Sequence, residues 1–120
     1  MSDSVLRDKA KEFAQEIVFL CRKLKTDHTE SALINPLLRS GTSIGANIHE
    51  AQYAQSTKDF ISKLEIALKE CNESEYWLEL LCGVHSITTA EYEKFHRDCI
   101  TLRRMLVSSV TTLKNKSEKK

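Results

Sequence analysis

The sequence predicts an all-α protein folded as an up-down-up-down antiparallel four-helix bundle. Four segments carry apolar residues at three- and four-residue spacing, which is the pattern of a helix with one buried face. The chain has only three glycines and one proline among 120 residues, so long helices with short connections are favoured. Short connections place consecutive helices antiparallel. The length fits one domain spanning residues 1–120.

Helix 1 is predicted over residues 3–26 and helix 2 over residues 31–55. The apolar stripe of helix 1 comprises Leu6, Ala10, Phe13, Ile17, Leu20 and Leu24, and that of helix 2 comprises Ile34, Leu37, Gly41, Ile44, Ile48 and Ala51. Pro36 leaves two possibilities open. Either helix 2 proper begins there with Asn35 as its N-cap, or a preceding turn is kinked at Pro36.

Helix 3 is predicted over residues 57–82 and helix 4 over residues 89–114, with a frayed tail at 115–120. Ser56 with Asp59, and Thr88 with Glu91, have the spacing of capping boxes. Gly83 is a plausible left-handed C-cap for helix 3. The stripes are Phe60, Leu64, Ala67, Cys71, Ser74, Leu78 and Leu81 in helix 3, and Tyr92, Phe95, Cys99, Leu102, Leu106, Val110 and Leu113 in helix 4.

The amino-acid composition restricts the classes of function that fit this chain. A formal net charge of +1 argues against a strongly basic nucleic-acid binder, although a local basic surface is compatible with it. The four cysteines lie far apart on or beside apolar stripes, which predicts reduced thiols and a cytoplasmic location. No apolar run is long enough for a membrane span, and no secretory signal is visible. No catalytic constellation, metal-ligand set or cofactor motif is found, so we expect no enzyme.

Several residues fall outside the stripes that a bundle core needs. On helix 2, Arg39, Ser43, Asn47 and Glu50 share one face opposite the core, although Ser and Asn are weak helix formers. The large apolar residues away from the stripes are Phe19, Ile66, Trp77 and Leu80. Together these eight residues are predicted to form an oligomer interface. Arg39 and Glu50 would each pair with a group on another subunit. The alternative is that the eight residues form a solvated face, with scattered surface hydrophobic residues.

The runs LLRSGTSIGANIHEA at 37–51 and STKDFISKLEIALKECNESEYWLELL at 56–81 closely resemble the bacterial four-helix-bundle family encoded within intervening sequences of 23S rRNA genes. Asn35-Pro36 departs from the family pattern. The resemblance implies a homopentamer and an RNA-linked role. The accessory proteins of diversity-generating retroelements look like relatives, and they bind nucleic acid and a reverse transcriptase. Partners of these kinds are therefore expectations drawn from the resemblance.

Six cationic residues are candidates for nucleic-acid binding: Arg22, Lys23 and Lys25 near the end of helix 1, and Arg97, Arg103 and Arg104 on helix 4. Repetition in an oligomer would multiply such a patch, and binding would be dominated by phosphates and sensitive to salt. Two hypotheses remain. The first is a non-enzymatic oligomeric bundle that binds RNA or DNA, or serves as an accessory protein. The second is a protein–protein scaffold with no nucleic-acid role.

Overall fold

The structure, a computed structural model, describes residues 3–118 and the side chains of residues 5–116. It contains four helices, α1 (Asp3–Thr26), α2 (Ser31–Ala51), α3 (Thr57–Gly83) and α4 (Thr89–Glu118). Each helix packs on the next, and α4 packs back on α1, which closes an antiparallel bundle of 53 × 22 × 20 Å. The predicted four-helix bundle is confirmed.

The bundle core is built almost entirely from the apolar stripes. The buried residues include Phe13, Ile17, Leu37, Ile44, Leu64, Leu78, Leu102 and Leu106. Phe13 and Phe95 meet edge to face with ring centroids 6.1 Å apart, joining α1 to α4. At the start of α3 the stripe differs from the prediction, because Ile61 is buried while Phe60 is half-buried.

Side-chain caps define the starts of α3 and α4. The Ser56 hydroxyl accepts from the Asp59 amide at 3.0 Å, and the Asp59 carboxylate accepts from the Gln55 amide at 3.2 Å. At α4 the box is reciprocal, since Thr88 and Glu91 each accept from the other's amide, at 3.0 and 2.8 Å. These bonds satisfy amides that have no partner within the helix.

The helix ends correct the predictions in three places. The left-handed residue after α3 is His85, with φ 62°, and Gly83 stays within the helix. The chain leaves α2 at Ala51 rather than residue 55, because a short turn follows before the Ser56 cap. The segment predicted to fray from residue 115 remains helical to Glu118, and residues 119–120 lie outside the described part.

Pro36 lies inside α2, which begins before it at Ser31. The amides of Leu33 and Ile34 both donate to the Glu30 carbonyl, at 3.0 and 3.2 Å, so the first turn is closed ahead of the proline. A proline this close to the start of a helix removes only one backbone bond near solvent. The helix is therefore continuous from Ser31 to Ala51.

The two glycines of α2 lie on the side that faces α1. A Cβ on Gly41 would come within 2.8 Å of Ile17 Cγ2, closer than real side chains approach. A Cβ on Gly45 would meet the Ala10 carbonyl oxygen at 3.5 Å, an ordinary contact. The absence of a side chain is therefore required at Gly41, where it lets α1 and α2 pack closely, and only permitted at Gly45.

Candidate functional site

The polar face of α2 is tied to α3 of the same chain. Arg39 donates to Glu70 at 2.9 Å and to Glu73 at 2.5 Å, a fork that bridges two carboxylates one turn apart. Trp77 Nε1 also donates to Glu73, at 3.0 Å. Hydrogen bonds from Arg39 and then Trp77 hold the pKa of Glu73 below its ordinary value. Arg39 therefore has two carboxylate partners within its own chain, and the pairing with another subunit stays a prediction.

The other three polar residues of this face are also accounted for within the chain. The Ser43 hydroxyl donates to the Arg39 carbonyl at 2.6 Å, and the Asn47 amide donates to the Ser43 carbonyl at 2.8 Å. Glu50 lies 3.8 Å from Lys63 of α3. Glu50, like Arg39, thus has a partner in its own chain. Ser43 and Asn47 remain half-buried and bonded only to their own helix.

The apolar residues away from the core stripes divide into two groups. Trp77 is half-buried and packs against the core, and Leu80 is half-buried as well. Phe19 and Ile66 are exposed, at 64% and 40% of their surface. Tyr76, which the sequence reasoning missed, is 58% exposed and meets Trp77 edge to face at 5.0 Å between centroids. Exposed aromatic and branched side chains are typical of contact surfaces.

The six cationic residues predicted for nucleic acid do not form one surface. Lys23 pairs with Glu91 at 2.9 Å, and Arg103 pairs with Glu75 between α3 and α4. Arg97 and Arg104 are exposed on the side of α4 opposite the core. Arg22 holds its guanidinium carbon 5.9 Å from the centroid of the Phe19 ring. Two of the six charges are therefore neutralised by carboxylates of the same chain.

The charges of α1 are divided between its two edges. Glu12 and Glu16 lie beside α4, where Glu16 pairs with Lys94. On the edge toward α2, exposed cations recur at positions that share one side of a helix, namely Arg7, Lys11, Arg22 and Lys25. We call these four residues the basic stripe. It spans residues 7–25, about 27 Å of helix. None of the four makes an ion pair with the described residues.

A groove runs between α1 and α2 beside one half of the basic stripe. Its volume is about 390 Å³, and its walls carry Arg7, Lys11 and His49, with Asp8 as the one acidic residue. Small residues form the remainder of its lining: Ala14, Thr42, Gly45 and Ala46. Arg7 and Lys11 were missed in the sequence because they lie in an apparently mixed run of charges. The available signal was the four-residue spacing from Arg7 to Lys11 together with the eleven-residue spacing from Lys11 to Arg22.

The acidic residues of the chain concentrate elsewhere. Helix α3 carries six carboxylates and three lysines, and four of these carboxylates are paired with cations of α2 and α4, whereas the basic stripe has no such partners among the described residues. Lysines of α3 also lie beside carboxylates, Lys63 beside Glu50 of α2 and Lys69 beside Glu73 of α3. A chain with a formal charge of only +1 thus presents one distinctly basic surface.

Side chains that could support chemistry are dispersed or buried. In the described range 3–118, no three His, Cys, Asp or Glu residues come together in the manner of a metal site. His96 stacks on Tyr92 at 5.4 Å and lies 3.9 Å from Glu75. Burial raises the pKa of the Cys21 thiol to about 11, which keeps it protonated and unreactive. Across the same described range, no helix has the length and apolar character to cross a bilayer.

Comparison with known proteins identifies the family. The sequence profile of the 23S rRNA-intervening sequence protein matches residues 2–108. A crystal structure of a protein of unknown function in the S23 ribosomal protein family from Bacteroides thetaiotaomicron VPI-5482 is similar over 92% of this chain and 99% of that one. It has 50% sequence identity and a TM-score of 0.90. No protein with a curated description matched. The chain belongs to the family of 23S rRNA-intervening sequence proteins.

Proposed function

We propose that this protein is a non-enzymatic, self-associating helical bundle of the cytoplasm that binds RNA through phosphate contacts. The observation that carries the proposal is the basic stripe, formed by Arg7, Lys11, Arg22 and Lys25 on the α1–α2 surface. Membership of a family named for 23S rRNA intervening sequences makes RNA the polyanion to test first.

The arrangement of charge suits a phosphate backbone better than a small anion. The four cations are spread along about 27 Å of helix instead of converging on one point. Phosphates along a nucleic-acid strand are spaced so that such a row can follow them, and each neutralised phosphate releases counterions. The stripe has no side chain arranged to read base edges, so weak sequence specificity is expected.

Self-association is the second part of the proposal and uses a different surface. Ile66 and Tyr76 are exposed on α3, where Tyr76 contacts half-buried Trp77 and Ile66 lies about three turns earlier in the helix. The resemblance implies a homopentamer, in which the basic stripe would be repeated five times. Repetition raises avidity for a polyanion without any new contact within the subunit. The reverse transcriptase partner that the retroelement resemblance implies stays a prediction.

The second candidate function is a protein–protein scaffold that binds no nucleic acid. The exposed Ile66 and Tyr76 favour it, because they supply an apolar contact surface whether or not RNA binds. Both candidate functions require self-association, and the oligomer mass measured by light scattering tests it. Ile66→Glu should lower the oligomer mass while helicity persists, and an unchanged mass would remove self-association through this surface.

Filter binding of a structured RNA across a salt series separates the two functions. The RNA-binding function predicts tight binding at low salt with a steep loss as salt rises. The double variant Lys11→Glu/Lys25→Glu should bind more weakly and show a slope reduced by about 2. The matched control Lys58→Glu/Lys69→Glu changes charge equally on α3 and should bind like wild type. Absence of salt-sensitive binding by the wild-type protein would favour the scaffold.

A further inference from the structure

We infer that the α1–α2 surface binds an unpaired nucleic-acid strand, with Phe19 and Tyr53 serving as stacking platforms for its bases. This inference deepens the proposed function and rests on it. It adds the class of nucleic acid and the residues that select it. Three separate observations support it.

Phe19 is the first observation. It is the most exposed of the large apolar residues described in α1, with 64% of its surface exposed. Its ring adjoins the basic stripe, because the Arg22 guanidinium lies 5.9 Å from the ring centroid. A base can stack on the aromatic face while the phosphate of the same nucleotide pairs with the neighbouring cation.

Tyr53 is the second observation. It follows the end of α2 and is 76% exposed, the highest value among the large apolar residues of the described chain. Its ring lies 5.6 Å from the ring of His49, and His49 lines the groove that Arg7 and Lys11 flank. The second aromatic platform therefore contacts a residue of the groove whose lining includes Arg7 and Lys11.

The groove between these platforms is the third observation. Its lining of Ala14, Gly45 and Ala46 leaves the two helix backbones open to close approach, and Arg7 and Lys11 stand at its edge. Arg7 and Phe19 are twelve residues apart, about 18 Å along α1. That distance corresponds to about five nucleotides at the 3.4 Å rise of a stacked strand. A groove bordered by cations with aromatic residues nearby is the arrangement used for unpaired strands.

A duplex would gain less from this surface. Its bases are stacked inside the helix, so Phe19 and Tyr53 could not reach their faces. Only the charge of the basic stripe would then contribute, and that contribution does not depend on pairing. The stacking contribution, about 1–3 kcal/mol per base, is therefore the part of the binding free energy that favours an unpaired strand over a duplex.

A second copy of this chain is the competing occupant. The carboxylates of α3 would complement the basic stripe of a neighbouring subunit, and exposed aromatic residues are common at the centres of protein interfaces. The strand is favoured because four of the six carboxylates of α3 are already paired with cations of their own chain, which leaves few of them free to complement the basic stripe of another subunit.

Fluorescence anisotropy with a labelled, unstructured RNA of about 12 nucleotides tests the inference. A hairpin with a stem of similar length is the paired probe. Wild-type protein should bind the unpaired probe more tightly than the hairpin. Phe19→Leu and Tyr53→Leu should each weaken binding of the unpaired probe about tenfold and leave the hairpin nearly unchanged. Val107→Ala, which removes an exposed apolar side chain on α4 outside both proposed surfaces, is the control and should behave like wild type.

The outcomes separate this inference from the proposed function. If wild-type protein binds neither probe at low salt, the proposed RNA binding and the unpaired-strand inference are both overturned. If it binds both probes equally and the leucine variants do not alter binding, RNA binding stands and the unpaired-strand inference is overturned. If Phe19→Leu or Tyr53→Leu lowers the oligomer mass, a second copy covers the surface and the inference is overturned. Circular dichroism verifies that each variant keeps its helices.

Discussion

The hydroxyl oxygens of Ser40 and Ser74 lie 3.0 Å apart in the centre of the α2–α3 contact, and neither side chain is exposed to solvent. They are the two buried polar residues among the side chains that the structure describes. Ser74 also lies 2.9 Å from the Glu70 carbonyl, and Ser40 lies 3.4 Å from the Leu37 carbonyl. Each hydroxyl thus has a partner even where water is excluded, and the pair fixes the register of α2 against α3.

A double-mutant cycle should detect this bond. Ser40→Ala and Ser74→Ala should each lower the free energy of unfolding by about 1 kcal/mol, because a buried hydrogen bond is lost. The double variant should lose less than the two single losses added together, since the bond can be removed only once. Urea denaturation measures all four proteins, and strictly additive losses would show that the hydroxyls do not interact.

Gly41 and Gly45 should respond oppositely to alanine. Gly41→Ala should destabilise the protein by about 1–3 kcal/mol, because the new Cβ would lie 2.8 Å from Ile17 Cγ2. Gly45→Ala should stabilise it by up to about 1 kcal/mol through helix propensity, since its Cβ meets the Ala10 carbonyl oxygen at 3.5 Å. Thermal unfolding of the two variants compares them directly. Equal effects would mean that α1 does not approach Gly41 as described.

The bridge from Arg39 should make stability depend on pH in the acid range. The pKa of Glu73 is lowered in the fold, so ionised Glu73 stabilises the native state above its ordinary pKa of 4.5. That stabilisation should be lost as pH falls from about 4.5 through the lower folded value. Arg39→Ala should cost about 1 kcal/mol at neutral pH, because the arginine is half exposed.

Arg39→Ala should also flatten the acid part of the stability curve. Arg104→Ala, an exposed arginine on α4, is the control and should leave the curve unchanged. Fluorescence of Trp77, the one tryptophan of the chain, reports the same site because its indole donates to Glu73. Parallel acid curves for wild type and Arg39→Ala would show that Arg39 does not set the pKa of Glu73.

The thiols should differ sharply in reactivity. Cys21, Cys71 and Cys99 are buried, whereas Cys82 is half-buried. With a disulfide reagent at pH 8, Cys82 should react first, and the other three should react only as the protein unfolds. Cys82→Ser should therefore abolish the fast phase. A second fast thiol in that variant would contradict the packing of the core.

Sequence reasoning recovered the helices because the apolar stripes and the capping boxes each had one structural solution. The capping boxes at Ser56 and Thr88 determine where α3 and α4 begin, and the stripes name most of the core. Gly83 failed as a cap signal because a glycine can also stay helical, while His85 takes the left-handed conformation at a modest cost. The frayed tail failed because polar composition does not by itself end a helix.

The surfaces were harder to predict because they depend on which helices are neighbours. The angular position of Arg39 placed it off the core, but only the packing shows that Glu70 and Glu73 of α3 lie within reach. Lys23 and Arg103 looked available in the sequence and are paired with Glu91 and Glu75. The basic stripe likewise depends on packing, because its cations stay unpaired only where α2 places no carboxylate beside α1.

Lysine footprinting in the presence of RNA tests the central claim, that the α1–α2 surface binds the phosphate backbone. An acylating reagent modifies exposed lysines, and mass spectrometry compares each site with and without a saturating unpaired RNA at low salt. The account predicts protection of Lys11 and Lys25, with Lys58 and Lys69 on α3 modified as in the free protein. Protection of Lys58 and Lys69 instead, with Lys11 and Lys25 unchanged while RNA is bound, would contradict it.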